Sequence, residues 1–174
     1  MPNKTTVEAV GDLHRGLLVE TSTILATACW ETLDHQAIFN VYGRILLLEL
    51  YGEITTNMAG AAQPNFSHTG ITPASAGITD LCAVSASIAA LVVGNRVVWP
   101  GGTVAGVLLI SGNAYMSPAH TGVGFILGGV TAAGVNFVGA IWADGSVAAA
   151  TDGAVRFTCT YAPMSDGAYV TAAV

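Results

Sequence analysis

Between Val155 and Tyr161 the chain alternates with a period of two. Val155, Phe157, Cys159 and Tyr161 fall on one side of an extended backbone, and Arg156, Thr158 and Thr160 on the other. Side chains leave a strand on alternate faces, whereas apolar positions in a helix recur every three or four residues. This segment therefore predicts a β-strand with one buried and one wetter face. The same period runs through residues 16–26, where Leu17, Val19, Thr21, Thr23 and Leu25 share a face. Shorter candidates are residues 36–42, 97–99, 103–111, 122–128 and 136–143. Residues 80–93 alternate Cys82, Val84, Ala86 and Ile88 against Ala83, Ser85, Ser87 and Ala89, which also reads as strand.

Residues 44–56 make the second strong segment. Their start is apolar on both faces, as in a central strand covered on two sides. From Glu49 onward Leu48, Leu50 and Ile54 oppose Glu49, Tyr51 and Glu53. Leucine and glutamate favour helix, but Gly52, Ile54, Thr55 and Thr56 favour strand. Pro163 stops the 155–161 strand, Asp166-Gly167 predicts a turn, and residues 168–174 return, so a C-terminal hairpin is expected. Asp144-Gly145 and Asp152-Gly153 also read as turns. Residues 59–77 and 112–121, with Pro64, Asn65, Pro73, Asn113 and Pro118, read as loops. The expected class is all-β: a β-sandwich, jelly roll or small barrel of many short antiparallel strands. Residues 1–16 are expected to form an N-terminal arm and residues 17–174 a single β domain.

Only 9% of the 174 residues are charged, and 52% are hydrophobic. An ordinary globular domain carries about a quarter charged residues. So little charge leaves much of a lone chain's surface apolar, which marks contact sites. The chain is expected to cover itself with copies of itself or with a larger assembly. Its five lysines and arginines stand singly against eleven carboxylates, for a net charge of −6. That excludes the basic footprint a nucleic-acid partner requires. Residues 122–143 lack any charge, but their glycine density and missing basic anchors argue against a membrane span. The N-terminus has no apolar leader pattern.

Chemistry-bearing constellations are few. Asp12/His14 and Asp34/His35 are pairs without the three or four ligands of a zinc site. Cys29, Cys82 and Cys159 are widely spaced among apolar or small residues and read as small buried hydrophobes. No Gly-x-Ser-x-Gly elbow is present, and the 122–128 glycines lack the strand–turn–helix setting of a nucleotide loop. Glu49 and Glu53 have the residue types of a glycosidase pair, but exposure or pairing with Arg44 or Arg96 across a subunit contact is the better reading. No enzyme activity, cofactor or metal is expected. Arg44, Leu48, Glu49, Glu53 and Arg96 are the candidate interface residues, with Leu48 in the core strand.

The blocks Gly43-Arg-Ile-Leu-Leu-Leu-Glu-Leu-Tyr-Gly-Glu-Ile-Thr-Thr56, Asp80-Leu-Cys-Ala83 and Tyr161-Ala-Pro-Met-Ser-Asp-Gly-Ala-Tyr-Val-Thr-Ala-Ala173 resemble a group of small proteins of tailed bacteriophages. The resemblance implies a virion structural component. Within that class it implies a decoration or cement protein: a β-rich homotrimer on the capsid exterior, bound to the major capsid protein. A neck, tail or fibre-base component and a carbohydrate-binding module of a host-recognition fibre are the alternatives.

Overall fold

The computed structural model describes residues 18–25, 30, 35–58, 63–69, 78–84, 91–99, 101, 108–110, 125–129, 134, 138–146 and 153–173. Among them are eleven strands and no helix: β1 (Leu18–Leu25), β2 (His35–Tyr42), β3 (Ile45–Thr56), β4 (Gln63–Thr69), β5 (Thr79–Asp80), β6 (Arg96–Val98), β7 (Leu108–Ile110), β8 (Phe125–Leu127), β9 (Val138–Ser146), β10 (Ala154–Pro163) and β11 (Tyr169–Ala172). The protein is all-β, with every described strand pairing antiparallel. The proposed arm, the 112–121 loop, His14, His120 and Cys29 lie outside the described residues.

One sheet runs β1-β10-β3-β6-β7, with β8 pairing the start of β3; the other runs β11-β2-β9-β4-β5. Their inner faces meet in one core, where Leu47, Leu50, Ile54, Phe157 and Tyr161 of the first sheet join Phe39, Val41, Phe66 and Ile141 of the second. The inward half of the 155–161 alternation is borne out, with Val155, Phe157, Cys159 and Tyr161 fully buried; on the other face Arg156 is exposed and Thr160 half-buried, but Thr158 is buried too. Phe157 sets its edge against Trp30 at 5.8 Å and against Phe66 of the opposite sheet at 6.2 Å.

The chain changes sheet between β2 and β3 in the two residues Gly43 and Arg44. Gly43 takes a left-handed backbone, with φ of 74°. Gly128, also left-handed, lies against it, so that a Cβ on Gly128 would fall 1.9 Å from the Gly43 carbonyl oxygen. No side chain at Gly128 would fit there, and the left-handed backbone at Gly43 is one that glycine adopts without strain.

Several expectations are corrected. Residues 63–69, expected as loop, form β4 between β9 and β5. Asp144-Gly145 is not a turn but lies within β9, opposite Asn65 and Pro64. The final strand exists, but β11 pairs with β2 of the other sheet rather than returning along β10. Its position is fixed across the core by the Tyr161 hydroxyl, which accepts the Val170 N–H at 2.9 Å. Cys82 is buried, yet Val84 is 43% exposed, so the alternation expected for residues 80–93 does not hold there.

Cys82 and Cys159 are buried thiols outside any disulfide, as small hydrophobes are expected to be. Burial pushes the Cys82 thiol up to about 11. The thiolate is the reactive form. Alkylating reagents at neutral pH are therefore expected to leave Cys82 unmodified in the folded chain and to modify it rapidly in urea, as peptide mass mapping would read.

Candidate functional site

Leucines 46–48 look alike in the sequence, yet β3 treats them differently. Tyr161 of β10 pairs with Leu47 and Thr160 with Glu49, so Leu48 is an extra residue on β3. Such a bulge resets which face the following residues take. Ile45 and Leu47 point inward before it, and Leu50, Gly52 and Ile54 point inward after it. Leu48 and Glu49 are consecutive and both half-buried. A second register shift passes over Thr55. Leu48 is thus not a core residue, contrary to the reading that grouped it with Leu50 and Ile54. An unbulged strand would have forced Glu49 into the core or Leu50 out of it.

The outer face of this sheet can be followed strand by strand. At one end Leu46 lies between Ala162 of β10 and Ile126 of β8. Ile126 is 48% exposed, and Leu46, Leu48 and Ala162 are half-buried. Farther along β3 the face turns polar. Thr160 Oγ1 donates to Glu49 Oε2 at 3.4 Å. Tyr51 is flanked by Thr158 and Val98, and Glu53 by Arg156 and Arg96. Arg96 Nη2 donates to Glu53 Oε2 at 3.2 Å, and the guanidinium carbon sits 5.2 Å from the Tyr51 ring centre. The face is therefore half apolar and half a ladder of hydroxyls and opposed charges.

Four of the five sequence-predicted interface residues, Leu48, Glu49, Glu53 and Arg96, come together on this one face. Arg44 stands at its end, ahead of β3, with its N–H donating to Ser165 Oγ at 3.0 Å and its carbonyl accepting Met164 N–H at 2.8 Å. Arg96 meets Glu53 within a single chain rather than across subunits. Both side chains are about a third exposed, at 39% and 33%, so the pair contributes at most about 1 kcal/mol to the fold. Its greater effect is to hold both charges in one orientation on the face. Sequence reasoning missed Tyr51, Thr160 and Ile126 as members of the site. They join it only through cross-strand register, for which a single sequence carries no signal.

The outer face of the second sheet carries different groups. Tyr42 and Tyr169 stack at 4.5 Å, with Val138 beside them and 55% exposed. At the far end Asn65 Nδ2 donates to Asp80 Oδ1 at 3.1 Å, and the Ser67 hydroxyl donates to the Asp144 carboxylate. Among the described residues no group of three or more His, Cys, Asp or Glu is placed to hold a metal ion. No helix among them is long and apolar enough to cross a membrane.

Searches of protein-family models, curated proteins and solved structures each find no match to this chain.

Proposed function

We propose that this chain is a structural subunit whose work is adhesion, first to copies of itself and then to the exterior of a larger shell. The carrying observation is the divided outer face of the first sheet. Leu46, Leu48 and Ile126 form an apolar end left open by the single chain, beside a ladder of fixed charges and hydroxyls. Apolar area removed from water contributes about 25 cal/mol per Å² before association costs. The adjoining Glu49, Glu53 and Arg96 supply register and specificity more than affinity. Such a surface needs no cleft, and it accounts for a composition with 9% charge.

The assembly we favour is a homotrimeric decoration or cement protein on a bacteriophage head, contacting the major capsid protein. The phage-like blocks at residues 43–56, 80–83 and 161–173 support that placement. Many weak contacts on one particle add through multivalency. The reading includes no enzyme activity, no nucleic-acid partner and no membrane.

Purified chain is mixed with undecorated heads, pelleted, and the heads melted. The account expects co-sedimentation at a fixed ratio and a higher melting temperature for decorated heads. Heads that neither bind the chain nor gain stability would remove the capsid placement. Binding confined to tail or neck particles would move the subunit there.

A further inference from the structure

We infer that His68 makes this fold acid-sensitive: protonating its imidazole inside the core parts the two sheets where β4 meets β8. Along β4, Phe66 and His68 point to the core while Asn65, Ser67 and Thr69 point away. His68 is 1% exposed, and neither ring nitrogen has a hydrogen-bond partner among the described residues. Its ring lies 5.4 Å from that of Phe125 in β8, a three-residue strand that pairs with Ile45–Leu47 of the first sheet. The imidazole thus sits at the seam between the sheets, opposite a short element with little backbone pairing of its own.

The charged groups near it are turned elsewhere. Asp80 of β5 pairs in register with Ser67, and Asp144 of β9 with Asn65, so both leave their strands on the side away from His68; Asp144 is itself buried, with its carboxylate accepting from the Ser67 hydroxyl, and both carboxylates act on the buried Cys82 thiol beside Phe66. Beside His68 in register stand Ile141 of β9 and Thr79 of β5. On the facing sheet Glu49 and Glu53 of β3 point outward, and the inward titratable side chains of β10 are the Cys159 thiol and the Tyr161 hydroxyl. The Phe125 ring favours an imidazolium, but desolvation dominates and lowers the His68 pKa below its ordinary 6.5.

The sign follows from which state takes up the proton. Below about pH 6.5 the unfolded chain binds it and the folded chain resists, so stability is complete above that value and falls as pH drops toward the lowered folded pKa. Loss of the seam is expected to begin at β8, which among the described residues is held by three register pairs to β3.

The test compares native chain and His68→Leu by urea unfolding at about pH 8 and about pH 5, on either side of the ordinary imidazole value. The His68 ring proton is titrated by NMR in the folded native chain. The expected result is a urea midpoint that falls on acidification in the native chain and falls less in the variant. Amides of Phe125–Leu127 are expected to exchange faster at the lower pH before those of β10. The contribution of other histidines is common to both proteins and cancels in the comparison. A variant that keeps the whole acid-induced fall would overturn the inference. So would a His68 resonance that titrates at or above 6.5, and that measurement decides the matter even if His68→Leu does not fold. The readouts are independent of whether the chain associates.

Discussion

Leu47→Asp is expected to abolish folding, and Leu48→Asp, one residue later, to leave the fold standing and to remove self-association. Leu47 is fully buried and pairs with Tyr161 in the core. Truncating a buried leucine already costs about 2–5 kcal/mol, and an unpaired buried carboxylate adds several kcal/mol more. The total approaches or exceeds the roughly 5–15 kcal/mol that holds an ordinary domain together. Leu48 occupies the bulge, half-buried on the outer face. A carboxylate there reaches water, so the fold loses about 1 kcal/mol or less, while an interface built on Leu46, Leu48 and Ile126 gains a desolvated charge. Circular dichroism with urea titration, followed by size-exclusion chromatography with light scattering, separates the two effects. A Leu48→Asp chain that unfolds would place its side chain in the core after all. One that folds and keeps the native oligomer would mean that this face is not the contact.

Phe157→Ala is expected to cost about 3–5 kcal/mol, against the roughly 5–15 kcal/mol that holds a whole domain together, because it leaves a cavity between the sheets. The ring is fully buried, edge-on to Trp30 and to Phe66 across the core. It also lies over Gly52, its register partner in β3, where an added Cβ would come within 2.9 Å of the ring. Gly52 is therefore part of the same packing unit: its missing side chain is the space the phenylalanine occupies. Urea unfolding reads the loss as a lower midpoint at unchanged slope. A decrease within about 1 kcal/mol would show that the ring bridges little, because only a poorly packed site loses so little on truncation.

The class of the fold was legible where one face is apolar and the other is not. Val155–Tyr161 declares itself because Arg156, Thr158 and Thr160 alternate with large apolar residues. β4 concealed itself because its outward residues, Asn65, Ser67 and Thr69, and its Pro64 are turn-forming types. Proline is tolerated there because β5 reaches β4 at Ser67 and His68, so that among the described residues Pro64 stands on an edge, and burial of Phe66 and His68 outweighs local preference. Asp144-Gly145 misled for the same reason: a turn-type dipeptide was carried into β9 by pairing with β4. The C-terminal strand is legible, but its partner is not: β11 lies along β2, distant in sequence, through four register pairs and is tied to β10 by the Tyr161–Val170 hydrogen bond.

The candidate site was half legible. The residue types of Arg44, Leu48, Glu49, Glu53 and Arg96 stood out in a chain with so few charges. The gathering of Leu48, Glu49, Glu53 and Arg96 on one face depends on the bulge at Leu48, where Tyr161 pairs with Leu47 and Thr160 with Glu49. A strict period-two reading placed Leu48 on the wrong side for that reason. Arg96 and Glu53 share a chain because β6 lies beside β3, an adjacency that strand order decides.

Sedimentation of the intact native chain over a wide concentration range tests the central claim most directly. The account predicts one dominant species at a whole-number multiple of the 17.6 kDa chain mass, three copies being the favoured multiple, with the outer face of β3 protected from solvent exchange. A particle of single-chain mass at every concentration, with Leu48 and Ile126 freely accessible, would contradict it.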